Sequence, residues 1–195
     1  VTSKNTTSLT SVDQGIEAAV ATLKKPVQPF NQADFNTAYG LNNATAVRDF
    51  KSRMAAAELM VRSGTNVVVA IDDGPWDSHG DTSGNNVRNQ FTQRIQPGLK
   101  TFLSRMVDGQ AKMDRNVIVA IFGDFHRSLP GSDHQANVAA TLIGKTLKNA
   151  TTGKTDNRVG LGPNTPSIAG LWQCLAAASK VSASPFGANP HAVVA

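Results

Sequence analysis

The sequence predicts an α/β protein, a three-layer α/β/α sandwich around a mostly parallel sheet. Two observations support this class. Apolar, largely β-branched runs occur at residues 66–72 and 116–122, with a shorter run at 137–143. Segments with the apolar spacing of amphipathic helices lie before, between and after these runs. Because strands buried on both faces have continuous apolar sequences, helices are expected on both faces of the sheet.

Four segments repeat apolar residues at steps of three and four, which is typical of amphipathic helices. They are a segment from Ser11 to Pro26, a segment that starts at Asn43 or Thr45 and runs to about Arg62, and the residues 86–107 and 167–180. Gly64 follows the second segment and suits a helix end. Pro97 falls inside the third and predicts a kink or a break there. The predicted apolar stripe of the last helix consists of Ile168, Leu171, Trp172 and Leu175.

Composition bounds the classes of function. The chain has 195 residues, 40% of them hydrophobic, and a net charge of +5. Its Lys and Arg residues are scattered, with no run longer than Lys24-Lys25, so a nucleic-acid-binding surface is not expected. No apolar stretch approaches the roughly 18 residues that a membrane span needs. The single cysteine, Cys174, excludes an internal disulfide framework.

The chain is predicted to have two regions. Residues 1–44 form an N-terminal extension with one helix, and residues 45–195 form the α/β domain. The first twelve residues are rich in Ser, Thr and Asn, which is typical of poorly ordered termini. Because Val1 is not a methionine, the chain is expected to be a processed product or a fragment.

Three Asp/His pairs are the main indication of function. Two of them directly follow predicted buried strands, and the third follows shortly afterwards; they are Asp77 with His79, Asp124 with His126, and Asp133 with His134. In open parallel sheets the carboxyl ends of strands meet at one crevice, so the pairs are expected to converge. Carboxylates and imidazoles are ligands for zinc, manganese or calcium. One or two divalent metal ions are therefore predicted.

Other interpretations of the same residues stay open. Asp77 could cap local backbone groups, and Asp133 could be the N-cap of a helix. Arg127 could bind an anionic substrate or pair with Asp124. The sequence contains neither a G-x-S-x-G nucleophile elbow nor a phosphate-binding G-x-x-x-x-G-K-[ST] loop.

The ordered motifs WDSHGD, GDFHRS and GSDH resemble those of the DUF1501 family, sulfatase-like proteins of the alkaline phosphatase superfamily. The resemblance covers about residues 45–190 and corresponds to the C-terminal half of such a protein. It implies a partial version of the superfamily's α/β/α fold with a metal site at the strand ends. By position it assigns metal ligation to Asp77, His79, Asp124 and His134, with His126 and Asp133 as further candidates, and substrate binding to Arg127.

The chain also departs from that family's pattern. Asp124 stands where the family usually has Glu, and His126 stands where it has Gly. The early metal-binding Asp and the nucleophile of superfamily members precede the part that this chain resembles. The resemblance therefore implies that a separate N-terminal half or another protein chain would supply them, and it implies a periplasmic or secreted location.

Two hypotheses follow. The first is a metal-binding, hydrolase-like domain that derives from a larger exported protein. If it is an enzyme, its substrates are expected to be phosphoric or sulfuric esters. The second is a non-catalytic structural or binding component that keeps the fold without the chemistry.

Overall fold

The computed structural model describes Glu17 and residues 31–107, 117–127, 134–135, 138–156, 162 and 166–195. The chain divides into two compact units, Val1–Asp72 and Asp73–Ala195.

The first unit contains two helices, α1 (Gln32–Tyr39) and α2 (Phe50–Arg62). The side chain of Asn31 caps α1 and that of Asp49 caps α2, each accepting a hydrogen bond from a backbone N–H of the first turn. Apolar side chains of both helices are buried, namely Phe35, Tyr39, Phe50, Met54, Ala55 and Ala57. The predicted stop at Gly64 is confirmed, since this residue has a φ of 100° just beyond the end of α2.

The second unit begins with a helical region in three parts. They are α3 (Asn85–Gln90), a π-helical turn (Phe91–Ile95) and α4 (Gln96–Met106). Pro97 stands in the first turn of α4, directly after the π-helical turn, and Ile95 and Gln96 at this junction keep helical backbone angles. At the predicted kink or break, the hydrogen bonding changes from π-helical to α-helical just before Pro97, while the backbone stays helical. Ile95, Leu99, Phe102 and Met106 form the buried face of this region.

The sheet contradicts the predicted parallel arrangement. Strand β1 (Val119–Phe122) pairs antiparallel with β4 (Ala140–Ile143), in a register that places Val119 opposite Ile143. Between these two strands in the sequence lie the two-residue strands β2 (His126–Arg127) and β3 (His134–Gln135). They pair with each other, also antiparallel, as a second two-stranded sheet. The described residues between β1 and β4 include no helix, and the antiparallel pairing brings the chain back beside itself as in a hairpin. Among the described residues no pair of strands is parallel, so the α/β/α sandwich is wrong.

The predicted strand at 66–72 is also wrong, because these residues form no ladder in the described structure. Val67, Val69 and Ile71 are exposed and alternate with half-buried neighbours. The segment therefore has a period of two residues, with one face toward solvent, rather than two buried faces. A short apolar run cannot by its sequence distinguish these two states.

The last helix, α5 (Ile168–Ala178), buries a different face from the predicted one. Gly170, Gln173, Cys174 and Ala178 are buried, whereas Ile168 and Trp172 are 54% and 41% exposed. Gly170 lets the C-terminal tail approach closely, since a Cβ there would lie 2.7 Å from Cγ of Pro190. Gln173 Oε1 accepts a hydrogen bond from the backbone N–H of Phe186, 3.1 Å away.

The C-terminal tail is anchored at its end as well. Leu147 and Val194 form an isolated antiparallel bridge, and the backbone N–H of Lys148 donates to the carbonyl of Val193 over 2.7 Å. Thr146 connects this bridge to α5, since its hydroxyl donates to the carbonyl of Ala178 at 2.6 Å. In the part of the chain that the structure describes, no helix is both long and apolar enough to cross a membrane.

His191 is a partly buried histidine of the C-terminal tail. Partial burial lowers the pKa of its imidazole below the usual value of about 6.5, so the neutral ring is favoured in the folded state. Its Nδ1 lies 3.2 Å from the hydroxyl of Thr152. Because the unfolded chain then binds more protons, the stabilising effect is complete above about pH 6.5 and is lost as the pH falls toward the folded pKa.

We expect the wild type to lose more stability between about pH 7.5 and about pH 5 than a His191→Gln variant does. Urea denaturation of both proteins at the two pH values measures the difference. Equal losses in the two proteins would show that His191 does not contribute.

Candidate functional site

The loop after residue 73 holds Asp77 and His79 in a local turn. The carboxylate Oδ1 of Asp77 accepts hydrogen bonds from the backbone N–H of His79 at 3.2 Å and from its ring Nδ1 at 2.5 Å. Aspartate side chains commonly form such a turn by accepting a hydrogen bond from the backbone N–H of the residue two positions later. The local capping that the sequence left open is therefore present, and it orients the imidazole. Both side chains are exposed.

Arg127 connects this loop to the hairpin. One of its terminal guanidinium nitrogens donates to Asp77 Oδ1 at 3.0 Å, across 50 positions in the sequence. The Arg127 side chain is only 15% exposed, and its Cζ lies 5.5 Å from the ring centre of Phe125. The predicted alternatives for Arg127 were an anionic substrate or Asp124, whereas in the structure its carboxylate partner is Asp77.

Aromatic contacts complete a closed ring of side chains. The ring centre of His134 lies 4.2 Å from that of Phe125 and 5.3 Å from that of His79. Each of these side chains therefore contacts the next, and the last contacts the first, in the order Asp77, His79, His134, Phe125, Arg127. We call these five residues the Asp–His cluster.

The other predicted ligands are placed differently. Asp124 is exposed, and its Oδ1 accepts a hydrogen bond from the backbone N–H of Phe125 at 2.9 Å. The backbone of His126 lies in β2 opposite Gln135, and its side chain is outside the described part of the structure. Asp133 is outside the described residues as well.

The charge of the cluster is centred on Asp77. The hydrogen bond from the backbone N–H of His79 lowers the pKa of this carboxyl most, and the His79 ring and the Arg127 guanidinium lower it further. The carboxylate is therefore ionised across the physiological range. It can hold His79 in the tautomer that carries a proton on Nδ1.

The donor set fits a metal ion only in part. Imidazoles are good zinc ligands, and a carboxylate on the distal ring nitrogen is the usual partner of a zinc-bound histidine. However, the described residues include no group of three or more His, Cys, Asp or Glu side chains at metal-binding distances. His79 and His134 thus bring two imidazoles together, which is fewer than the three or four protein ligands of a zinc site.

Phe125 belongs to the Asp–His cluster but was not among the predicted site residues. Its ring contacts both His134 and Arg127. Its position in the GDFHRS motif was visible, but an aromatic residue there is equally typical of simple packing.

Comparisons with protein-family models, with curated proteins and with solved structures found no match to this chain.

Proposed function

We propose that this protein is a metal-binding, hydrolase-like domain whose site is the Asp–His cluster. The proposal includes its relation to sulfatase-like proteins of the DUF1501 family and an exported location. The observation that supports it best is that Asp77, His79 and His134, which the ordered motifs single out, come together although the last lies 55 positions beyond His79.

In this proposal His79 and His134 are the imidazole ligands of one divalent ion. Asp77 holds His79 through Nδ1, which leaves Nε2 available, and no described hydrogen bond occupies Nε2. The carboxylates of Asp124 and Asp133 and the ring of His126 are the candidates for the remaining positions. Zinc suits such a set better than calcium does, because calcium prefers oxygen ligands only.

Arg127 would contribute the anion-binding part of the site. A guanidinium presents paired donors that match the oxygens of a phosphate or a sulfate. The ionised Asp77 keeps it oriented beside the imidazoles. A bound divalent ion would polarise a phosphoryl or sulfuryl oxygen and acidify a water molecule.

A zinc titration tests the metal site. We expect the wild type to bind zinc with a stoichiometry of about one, and His79→Ala or His134→Ala to weaken binding by at least about tenfold to a hundredfold. His191→Ala removes a histidine outside the cluster and is the matched control. Isothermal titration calorimetry, followed by cobalt substitution and its visible spectrum, measures both affinity and ligand field.

Two results would contradict the metal site. One is wild-type protein that binds no zinc, manganese or calcium. The other is a control variant that loses as much affinity as the two cluster variants. Turnover of aryl phosphates and aryl sulfates by the zinc-loaded wild type, abolished by His134→Ala, would extend the result from binding to hydrolysis.

A non-catalytic binding component is the second candidate. The observation that favours it is that Asp77 already pairs with both Arg127 and His79, so its charge is satisfied without a metal ion. This candidate predicts a stable complex with another protein chain and no turnover of either ester class. Metal binding without hydrolysis, together with such a complex, would favour it over the first.

A further inference from the structure

Residues 66–72, which we call the extended segment, lie within the first unit and leave an unusual amount of apolar surface uncovered. Val67, Val69 and Ile71 are 78%, 77% and 65% exposed, and they share one face. Their β-branched side chains favour an extended backbone. A contiguous row of three such residues is more than the scattered exposed apolar residues of ordinary surfaces.

The backbone of the extended segment is also open for pairing. Among the described residues, no hydrogen bond involves the backbone of Val67 through Ala70. The carbonyl of Ile71 accepts from the guanidinium of Arg53 in α2. In a strand, residues two apart present their backbone groups on the same edge, so Arg53 occupies the edge of Val67, Val69 and Ile71. On the opposite edge, the backbone groups of Val68 and Ala70 have no hydrogen-bond partner among the described residues.

We propose that the extended segment pairs with the same segment of a second copy of this chain, antiparallel and centred on Val69. The open edge then forms reciprocal hydrogen bonds between Val68 of one copy and Ala70 of its partner. On the exposed face, Val67 of one copy lies opposite Ile71 of the other, and the Val69 residues of the two copies lie opposite each other. This joins the two exposed apolar rows into one continuous surface.

Charge selects this orientation. The segment ends in Asp72, and Asp73 follows it. A parallel, in-register pair would place each aspartate beside its copy, which is unfavourable. The antiparallel pair about Val69 places Asp72 opposite Asn66 and separates the acidic ends of the two chains. The segment is thus self-complementary in one direction only.

Sedimentation analysis of the whole chain over a range of concentrations tests the pairing. We expect a reversible dimer. Val69→Lys should weaken it by at least about tenfold, since two ammonium groups would meet at the centre of the pair. Val47→Lys is the matched control, because Val47 is 90% exposed on the same unit but outside the segment. A chain that stays monomeric, or a dimer that Val69→Lys leaves intact, would overturn the proposal.

Cross-linking tests the orientation separately. In a Cys174→Ser background, Val69→Cys should form an intermolecular disulfide under mild oxidation, because the two positions face each other in a non-hydrogen-bonded pair. Val67→Cys and Ile71→Cys should cross-link with each other in a mixture and poorly with themselves. Self-cross-linking of Val67→Cys without the mixed product would indicate a parallel pair and overturn the antiparallel register.

Discussion

Replacing Glu58 by alanine is expected to destabilise the protein by about 3 kcal/mol. Glu58 is fully buried in α2, and its carboxylate is satisfied on both oxygens. Tyr39 donates its hydroxyl to Oε2 at 2.7 Å, and Arg62 donates Nε to Oε1 at 2.7 Å. Removing the carboxylate leaves a buried phenol and a guanidinium without this acceptor, and it opens a cavity between the two helices.

The magnitude is limited by Arg62, whose side chain is 28% exposed and can partly regain water. Two further variants separate the contributions. Glu58→Gln keeps the volume and an acceptor for Tyr39, and is expected to cost about half as much. Tyr39→Phe removes one hydrogen bond and is expected to cost about 1 kcal/mol.

Urea denaturation followed by far-UV circular dichroism measures these changes in the whole chain. The chain has one other glutamate, Glu17, which is exposed. Glu17→Ala is therefore the matched control and should change stability by less than about 0.5 kcal/mol. If Glu58→Ala destabilised the protein no more than this control, the buried ion pair would contribute nothing to folding.

Replacing Gly170 by alanine is expected to destabilise the packing of the C-terminal tail by about 1–2 kcal/mol. A Cβ at this position would lie 2.7 Å from Cγ and 3.3 Å from Cδ of Pro190, and 3.4 Å from Cβ of Pro166. Alanine in a helix is favoured over glycine by about 1 kcal/mol. The clash exceeds this gain because both neighbours are rigid rings that cannot rotate away.

A double-mutant cycle tests this contact. Pro190→Ala removes the two ring atoms that the new methyl group would meet, so the double variant should be more stable than the sum of the single effects predicts, by about 1 kcal/mol. Carboxypeptidase digestion should release the end of the tail faster from Gly170→Ala than from the wild type. Additive effects in the cycle would show that the tail does not pack on Gly170.

Much of the helical structure was predictable because it depends on local patterns. Gly64 was expected to end the helix over 45–62, and it does. That helix begins at Phe50 rather than near residue 45, because Asp49 caps it. Pro97 was expected to interrupt the helix over 86–107, and a π turn precedes it. These features follow from backbone chemistry within a few residues, which a single sequence contains.

The sequence predicted residues of the candidate site, but not the strand arrangement that brings them together. Asp77, His79 and His134 were singled out by type and spacing, and the structure brings them together. The predicted reason, a shared edge of a parallel sheet, was wrong, because an antiparallel hairpin carries His134 and Arg127 instead. Asp124 makes a local backbone contact, which its sequence position could not distinguish from a place among the ligands.

The sequence by itself determined where α2 ends and where the helical region over 86–107 changes its hydrogen bonding, and it singled out Asp77, His79 and His134 as candidates, since these features depend on residue type and near neighbours. Only the tertiary structure decided the direction of the strands, the partner of Arg127 and the buried face of α5. These depend on contacts between distant segments. Gln173 is buried where its side-chain oxygen accepts a hydrogen bond from the backbone of Phe186 in the returning tail, and no local pattern encodes that contact.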